Sequence, residues 1–181
     1  MKQSKNIKET GSFVNWAMGN NVTLPEVNKG ATELHWSDRS AYEVISVAED
    51  KMSCVIERYS PTRVDKHGMS ESQSYEYTKL TGYRKNLVWR NKKGGCWCEV
   101  TDELRIIPKV AKYLETQTSK FAYYDQVEQV FGKDVADKVW RYDENDDRIM
   151  EAYEGITKIY KNYRPISIVF GYKQEYYDYS F

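Results

Sequence analysis

The sequence has few of the features that mark membrane, secreted or disulfide-rich proteins. Its 181 residues include only three cysteines and two histidines, and 27 basic side chains balance 27 acidic ones. No run approaches the roughly 18 apolar residues that a membrane-spanning helix requires, and the start of the chain lacks the apolar segment of a secretory signal. A low, odd cysteine count is typical of a reducing compartment. We therefore expect a cytoplasmic protein that makes no membrane contact.

Motifs that carry catalysis or bind a cofactor are also missing. The chain contains no phosphate-binding loop, no dinucleotide-binding glycine pattern, no zinc-protease HExxH and no GxSxG nucleophile motif. The two histidines, His35 and His67, stand apart from any nucleophile motif. A triad assembled from distant residues remains open at this stage, because its members need not be adjacent in sequence. The pattern predicts a protein that is not an enzyme and has no cofactor.

Two partial metal-binding patterns are better explained as ordinary parts of a strand and a helix. Cys96 and Cys98 would share one face of a strand, but structural zinc needs four ligands and no second pair follows. A second group matches positions 1, 3, 5 and 12 of a calcium-binding loop, yet Arg148 replaces the glycine that such a loop needs at position 6. We interpret the cysteines as buried strand residues and the second group as the acidic start of a helix, and we predict no metal site. The second group is Asp143, Asn145, Asp147 and Glu154.

Residues 30–100 read as a series of short strands separated by turn residues. Alternating and β-branched patterns recur every 8–12 residues without helical connections, which favours a small SH3-like β-barrel, with an OB-like barrel as the alternative. A short helix over residues 12–19 and an extended arm would precede it. The predicted strands are 31–36, 42–47, 52–59, 74–78, 83–90 and 96–100.

The pattern becomes helical after residue 104, so the fold class predicted is α+β. Helical spacing marks 105–116, 123–131 and 135–142, and the last two form a helix-turn-helix outline. A fourth helix over 143–161 follows from Ile149, Tyr153, Ile156 and Tyr160, and a terminal strand covers 166–172. The predicted domains are therefore 1–104, an N-terminal arm plus a basic barrel, and 105–181, a helical region ending in a strand.

The neutral total conceals a basic middle segment. Residues 51–95 hold 10 basic and 4 acidic side chains, a net charge of +6, and tyrosines and tryptophans alternate with the cations. Cations neutralise phosphates and aromatic rings stack on bases, so this surface predicts binding to duplex DNA or to a protein that holds nucleic acid. Lysines that guard a sheet edge against aggregation are the structural alternative. The candidate binding residues are Arg58, Arg63, Lys66, Lys79, Tyr83, Arg84, Lys85, Arg90, Lys92 and Lys93.

Three segments resemble a family of small proteins encoded by bacteriophages and prophages of gut bacteria. They are NNVTLPEVNKGATELHWSDRSAYEV, GMSESQSYEYT and RKNLVWRNKKGGCWCEV, within residues 20–100. The chain length is also similar to that of a type II-A anti-CRISPR, a class of Cas9 inhibitors. The resemblance implies a phage-type inhibitor of a bacterial defence nuclease that works in the host cytoplasm by binding Cas9, another nucleic-acid-bound defence protein, or the DNA. A phage nucleic-acid-binding accessory protein is the alternative.

Overall fold

The computed structural model describes residue 17 and residues 23–70, 72–91, 95–145 and 147–179. The predicted helix at 12–19 lies almost wholly outside these residues. The described part contains nine strands and three helices, labelled here in chain order. They are β1 (Gly30–Leu34), β2 (Arg39–Val47), β3 (Ser53–Arg63), β4 (Tyr75–Arg90), β5 (Cys96–Ile106), α1 (Pro108–Gln117), α2 (Tyr123–Phe131), α3 (Lys133–Val139), β6 (Trp140–Tyr142), β7 (Arg148–Met150), β8 (Thr157–Pro165) and β9 (Ser167–Phe170).

Seven strands form one sheet in the order β8-β5-β4-β3-β2-β1-β9. Each strand from β2 to β5 pairs antiparallel with the strand before it, and β9 pairs antiparallel with β1. The sheet is not closed into a barrel, so the predicted SH3-like barrel is wrong. The physical reason is that β8 and β9, although consecutive in the chain, add to opposite edges instead of pairing with each other.

The long strand β4 replaces two predicted short ones. Thr81 and Gly82 were expected to end a strand, but they form an irregularity within it, where the pairing with β3 shifts between Glu57 and Tyr59. Gly82 has φ of +82°, a conformation that suits glycine and that lets the strand bend and continue. A turn signal in the sequence therefore marks a bulge here.

Contacts across the sheet show that it is strongly curved. Lys85 on β4 reaches Glu33 on β1 with an Nζ–Oε2 distance of 2.7 Å, although β3 and β2 lie between them. Three strand spacings in a flat sheet would separate the backbones by about 14 Å. The ring centroids of Trp97 on β5 and Phe170 on β9 are 5.1 Å apart. The concave face therefore encloses a core, which consists of Ala31, Tyr42, Val44, Cys54, Ile56, Leu87, Trp89, Trp97, Ile168 and Phe170.

The chain divides into two compact units, 1–100 with 163–181 and 101–162. In the second unit the three helices, the β6–β7 hairpin and nearby segments surround a core of Ile106, Leu114, Val127, Ala136, Val139 and Ile156. The helices predicted near 105–116 and 123–131 are present, whereas the helix predicted over 135–142 ends at Val139. No helix among the described residues has the length and apolar character needed to cross a bilayer.

The predicted helix over 143–161 is wrong, and with it the α-rich C-terminal region. This stretch forms a hairpin turn, β7, a loop and the first part of β8. Gly155 has φ of +79°, which no helix interior allows. The side chain of Asp143 accepts the backbone N–H groups of Asn145 and Asp147, so it organises a hairpin turn instead of capping a helix.

Candidate functional site

The structure divides the ten predicted binding residues among different environments. Lys85 is buried, Arg58 and Arg63 are bound by acidic or hydroxyl side chains, and Arg84 pairs with the buried Glu57 at 2.7 Å. Arg84 and Lys85 are consecutive on β4, so their side chains point to opposite faces of the sheet. The predicted residues therefore do not form one continuous surface. Arg84 is itself 59% exposed, and the predicted residues without an ion pair described above that are exposed or half-exposed are Lys66, Lys79, Tyr83 and Arg90. Lys92 and Lys93 lie outside the described residues.

Lys85 belongs to a cluster of charged groups on the concave face of the sheet. Its Nζ lies 2.9 and 2.7 Å from the two carboxylate oxygens of Glu33 and 3.7 Å from Oε2 of Glu99. Arg164 donates to the same Glu99 oxygen at 2.5 Å. The Tyr42 hydroxyl donates to Oε2 of Glu33 at 2.9 Å. Two carboxylates therefore face two cations and one hydroxyl donor.

The charged cluster is closed to solvent on the side of its lysine. The side chains of Lys85, Glu33 and Glu99 are 6, 5 and 9% exposed, whereas Arg164 is 65% exposed. Burial and the neighbouring charge of Glu33 hold the pKa of Tyr42 well above its usual range, so its hydroxyl stays a donor. The cluster therefore links side chains of β1, β2, β4, β5 and β8, and each of its buried charges is paired with an opposite one.

A second group of predicted cations is covered by the C-terminal tail, which we define as residues 172–179. Nη2 of Arg58 donates to Oε1 of Glu175 at 2.6 Å, and Nη1 of Arg63 donates to the Tyr179 hydroxyl at 2.8 Å. Arg63 also forms a two-pronged pair with Asp65, with N–O distances of 2.7 and 2.8 Å. This pair holds the pKa of Asp65 well below its usual range. The sequence pattern did not indicate that the tail would neutralise Arg58 or that Asp65 would neutralise Arg63.

Aromatic residues beneath the tail surround a lysine that belongs to it. Nζ of Lys173 lies 4.5 Å from the centroid of the Tyr59 ring and 5.1 Å from that of Tyr77. The two rings meet edge to face, with centroids 5.5 Å apart. Burial, followed by a hydrogen bond to Glu43, raises the pKa of Tyr59 to about 12. These tyrosines therefore bind the tail and are not open to a base.

The convex face near the β8 edge keeps a cation and an aromatic ring that faces solvent. The Arg90 guanidinium lies 3.9 Å from the centroid of the Tyr163 ring, which is 38% exposed. We call Arg90 and Tyr163 the cation–aromatic face. Tyr163 was not among the predicted binding residues, because that stretch was interpreted as part of the helical C-terminal region.

The cysteines and histidines do not assemble a metal centre among the residues described. No group of three or more His, Cys, Asp or Glu side chains converges there. Sγ of Cys96 lies 3.7 Å from Sγ of Cys98, and burial raises the pKa of Cys98 to about 11, so the thiol form dominates at neutral pH. Nε2 of His35 lies 3.0 Å from Oγ of Ser40 across the β1–β2 turn, in an exposed position.

Comparison with known proteins adds no relative to these observations. No protein-family model, curated protein or solved structure matches the chain.

Proposed function

We propose that this chain acts by binding and not by catalysis, as a phage-type inhibitor of a bacterial defence nuclease in the host cytoplasm. The resemblance in residues 20–100 favours a phage protein, and the chain length, which is similar to that of a type II-A anti-CRISPR, favours Cas9 as the nuclease. The structural observation that supports the proposal is the cation–aromatic face, in which the Arg90 guanidinium lies over an exposed tyrosine ring. Such a face suits phosphates and bases, or a protein surface that binds them.

The cation–aromatic face lies where a large partner can reach it. Arg90 is the last residue of β4, and the predicted contact residues Lys92 and Lys93 follow it in the chain. Tyr163 comes from the strand at one edge of the sheet. A cation at the end of a strand and an aromatic ring on an edge strand are accessible to a large partner without any rearrangement of the core.

A cleavage assay tests the inhibitor proposal. Purified Cas9 with guide RNA and target DNA is incubated with increasing amounts of the full-length chain, and the cleaved fraction is measured. We expect cleavage to fall with added wild-type protein and to recover with the variant Arg90→Glu. Lys109→Glu is the matched control, since Lys109 is exposed and lies on α1 of the second unit. Unchanged cleavage at large molar excess of the wild type would refute the inhibitor role.

The alternative, an accessory protein that binds nucleic acid directly, makes a separate prediction. Fluorescence anisotropy with labelled duplex DNA should show binding that weakens steeply between about 50 and 200 mM salt, because each phosphate contact releases counterions. Binding to DNA without inhibition of cleavage would favour this alternative. Inhibition without DNA binding would favour direct contact with the nuclease.

A further inference from the structure

The C-terminal tail is held in a way that resembles a bound peptide. The sheet and its neighbouring loop make hydrogen bonds to the tail's main chain at several successive positions. Arg39 exchanges both backbone hydrogen bonds with Tyr176, at 2.9 and 3.1 Å, and the Gln73 side-chain amide bonds both N–H and C=O of Tyr177. The Tyr77 hydroxyl accepts the N–H of residue 175 at 2.7 Å. These hydrogen bonds recognise main-chain N–H and C=O groups, which any extended peptide segment carries.

One side chain of the tail enters a preformed acid-binding site. Oε1 of Glu175 accepts Arg58 at 2.6 Å, and Oε2 accepts the backbone N–H of Ala41 at 2.9 Å. Arg58 is held in place independently, because its Nη1 donates to the carbonyl oxygen of Ala41 at 2.9 Å. Glutamate is therefore recognised by a guanidinium and a backbone amide together, both supplied by β2 and β3.

The tail also covers buried residues of the sheet. The Thr32 hydroxyl, on a residue that is 0% exposed, donates to the carbonyl oxygen of Tyr172 at 2.9 Å and accepts the N–H of Gln174 at 3.0 Å. The end of the tail is more open, since Tyr177 and Tyr179 stay 51 and 39% exposed, with ring centroids 4.8 Å apart. A segment that displaces the tail has to cover Thr32 and Tyr59 in its place.

We propose that the surface beneath residues 172–179 is a docking groove for an extended peptide segment of a partner protein, one that carries a glutamate followed by an aromatic residue. The C-terminal tail occupies the groove in cis, and the partner segment displaces it. This proposal is independent of the nuclease proposed above.

Two observations favour a peptide over a nucleic acid as the occupant. The groups that contact the tail are arranged for main-chain N–H and C=O groups, which a nucleic acid lacks. The arginines that contact the tail are also matched in number by carboxylates that do not belong to it: Arg39, Arg58 and Arg63 stand against Asp38, Glu43 and Asp65. A phosphate chain needs a surplus of positive charge, which this groove does not provide.

The test uses the full-length chain and a fluorescent peptide with the sequence of residues 172–179, YKQEYYDY. In the wild type the attached tail competes at an effective concentration in the millimolar range, so the peptide should bind weakly. Glu175→Gln in the protein removes the anchoring charge of the tail, and we expect the peptide to bind about tenfold tighter, measured by anisotropy. Glu154→Gln, an exposed glutamate of the second unit, is the matched control and should leave peptide affinity unchanged.

Two further arms make the test decisive. A peptide in which Gln replaces the Glu should bind the Glu175→Gln protein without the expected tenfold increase in affinity. The original peptide should likewise show no such increase with the protein that combines Glu175→Gln with Arg58→Gln. Circular dichroism verifies that each variant is folded, and Glu175→Asp, which shortens the anchor, replaces Glu175→Gln if that variant unfolds. Equal peptide affinity of Glu175→Gln and wild type would overturn the proposal. So would a gain in affinity for a labelled oligonucleotide without any gain for the peptide.

Discussion

Replacing Lys85 by methionine tests whether the charged cluster on the concave face stabilises the sheet. The substitution keeps most of the side-chain length and removes the charge that faces Glu33 and Glu99. Both carboxylates are almost fully buried, with side chains 5 and 9% exposed, so water cannot replace the lysine. Arg164 still reaches Glu99, whereas Glu33 would retain only the hydroxyl of Tyr42 among the partners seen in the structure.

The expected loss of stability follows from this geometry. Removing one partner of a buried ion pair costs about 3–5 kcal/mol, because the other charge remains buried without compensation. We place Lys85→Met at about 3 kcal/mol within that range, since Tyr42 continues to donate to Glu33. Lys79→Met on the same strand is the matched control, because Lys79 is exposed, and it should change stability by less than about 0.5 kcal/mol.

Urea unfolding followed by tryptophan fluorescence measures both variants. Trp89 and Trp97 are buried in the core with ring centroids 5.9 Å apart, so their emission reports loss of the curved sheet. The double variant Lys85→Met with Glu33→Gln should lose less stability than the two single losses added together, because the second change removes the unpaired charge. Equal, small losses for Lys85→Met and Lys79→Met would refute the reasoning.

Three further predictions concern the backbone and two titrating groups. Gly95→Ala should lower the thermal unfolding temperature more than Gly68→Ala. Both glycines have positive φ, +86° and +60°, but only at Gly95 would the new Cβ overlap the Trp89 ring. Equal losses of stability in the two variants would contradict the predicted overlap. Because the folded pKa of Tyr59 is raised to about 12, its contribution to stability is present below its ordinary pKa of about 10 and is lost as pH rises towards 12. Tyr59→Phe should therefore lose less stability than wild type between pH 10 and 12 in urea titrations, and parallel curves would count against it. The pKa of Asp65 is lowered in the folded state, so its contribution to the free energy of unfolding is present above about pH 4 and is lost as pH falls. The difference in unfolding free energy between wild type and Asp65→Asn should therefore become smaller in acid. A difference that does not change with pH would contradict this prediction.

Local patterns were sufficient for much of the first unit and for two helices. The alternation in residues 31–36, 42–47 and 52–59 corresponds to β1, β2 and β3, because one face of each strand lies on a core. Pro108 as the first residue of α1 and the apolar spacing in α2 have equally local causes. Cys96 and Cys98 were expected to be buried strand residues, and both lie in β5, where Cys98 is buried and Cys96 is half-buried.

The errors arose where a local pattern was compatible with two structures. Ile149, Tyr153, Ile156 and Tyr160 are spaced as on a helix, yet they occupy β7, a loop, a turn and β8. Pairing at a sheet edge outweighed that spacing, with Gly155 at positive φ between the segments. Short strands at regular spacing fit an open curved sheet as well as a closed barrel, and only the pairing of the last strands distinguishes them.

The sequence by itself determined the strand-rich first half, the apolar faces of its strands and the positive charge of residues 51–95, because these depend on residue type and near neighbours. The tertiary structure alone decided what those charges do. Curvature of the sheet brings Glu33 and Glu99 to Lys85, and the returning tail brings Glu175 to Arg58 over 117 residues of sequence separation. Such pairs depend on long-range packing, so a count of basic residues could not tell a cation that binds a partner from one that holds the fold together.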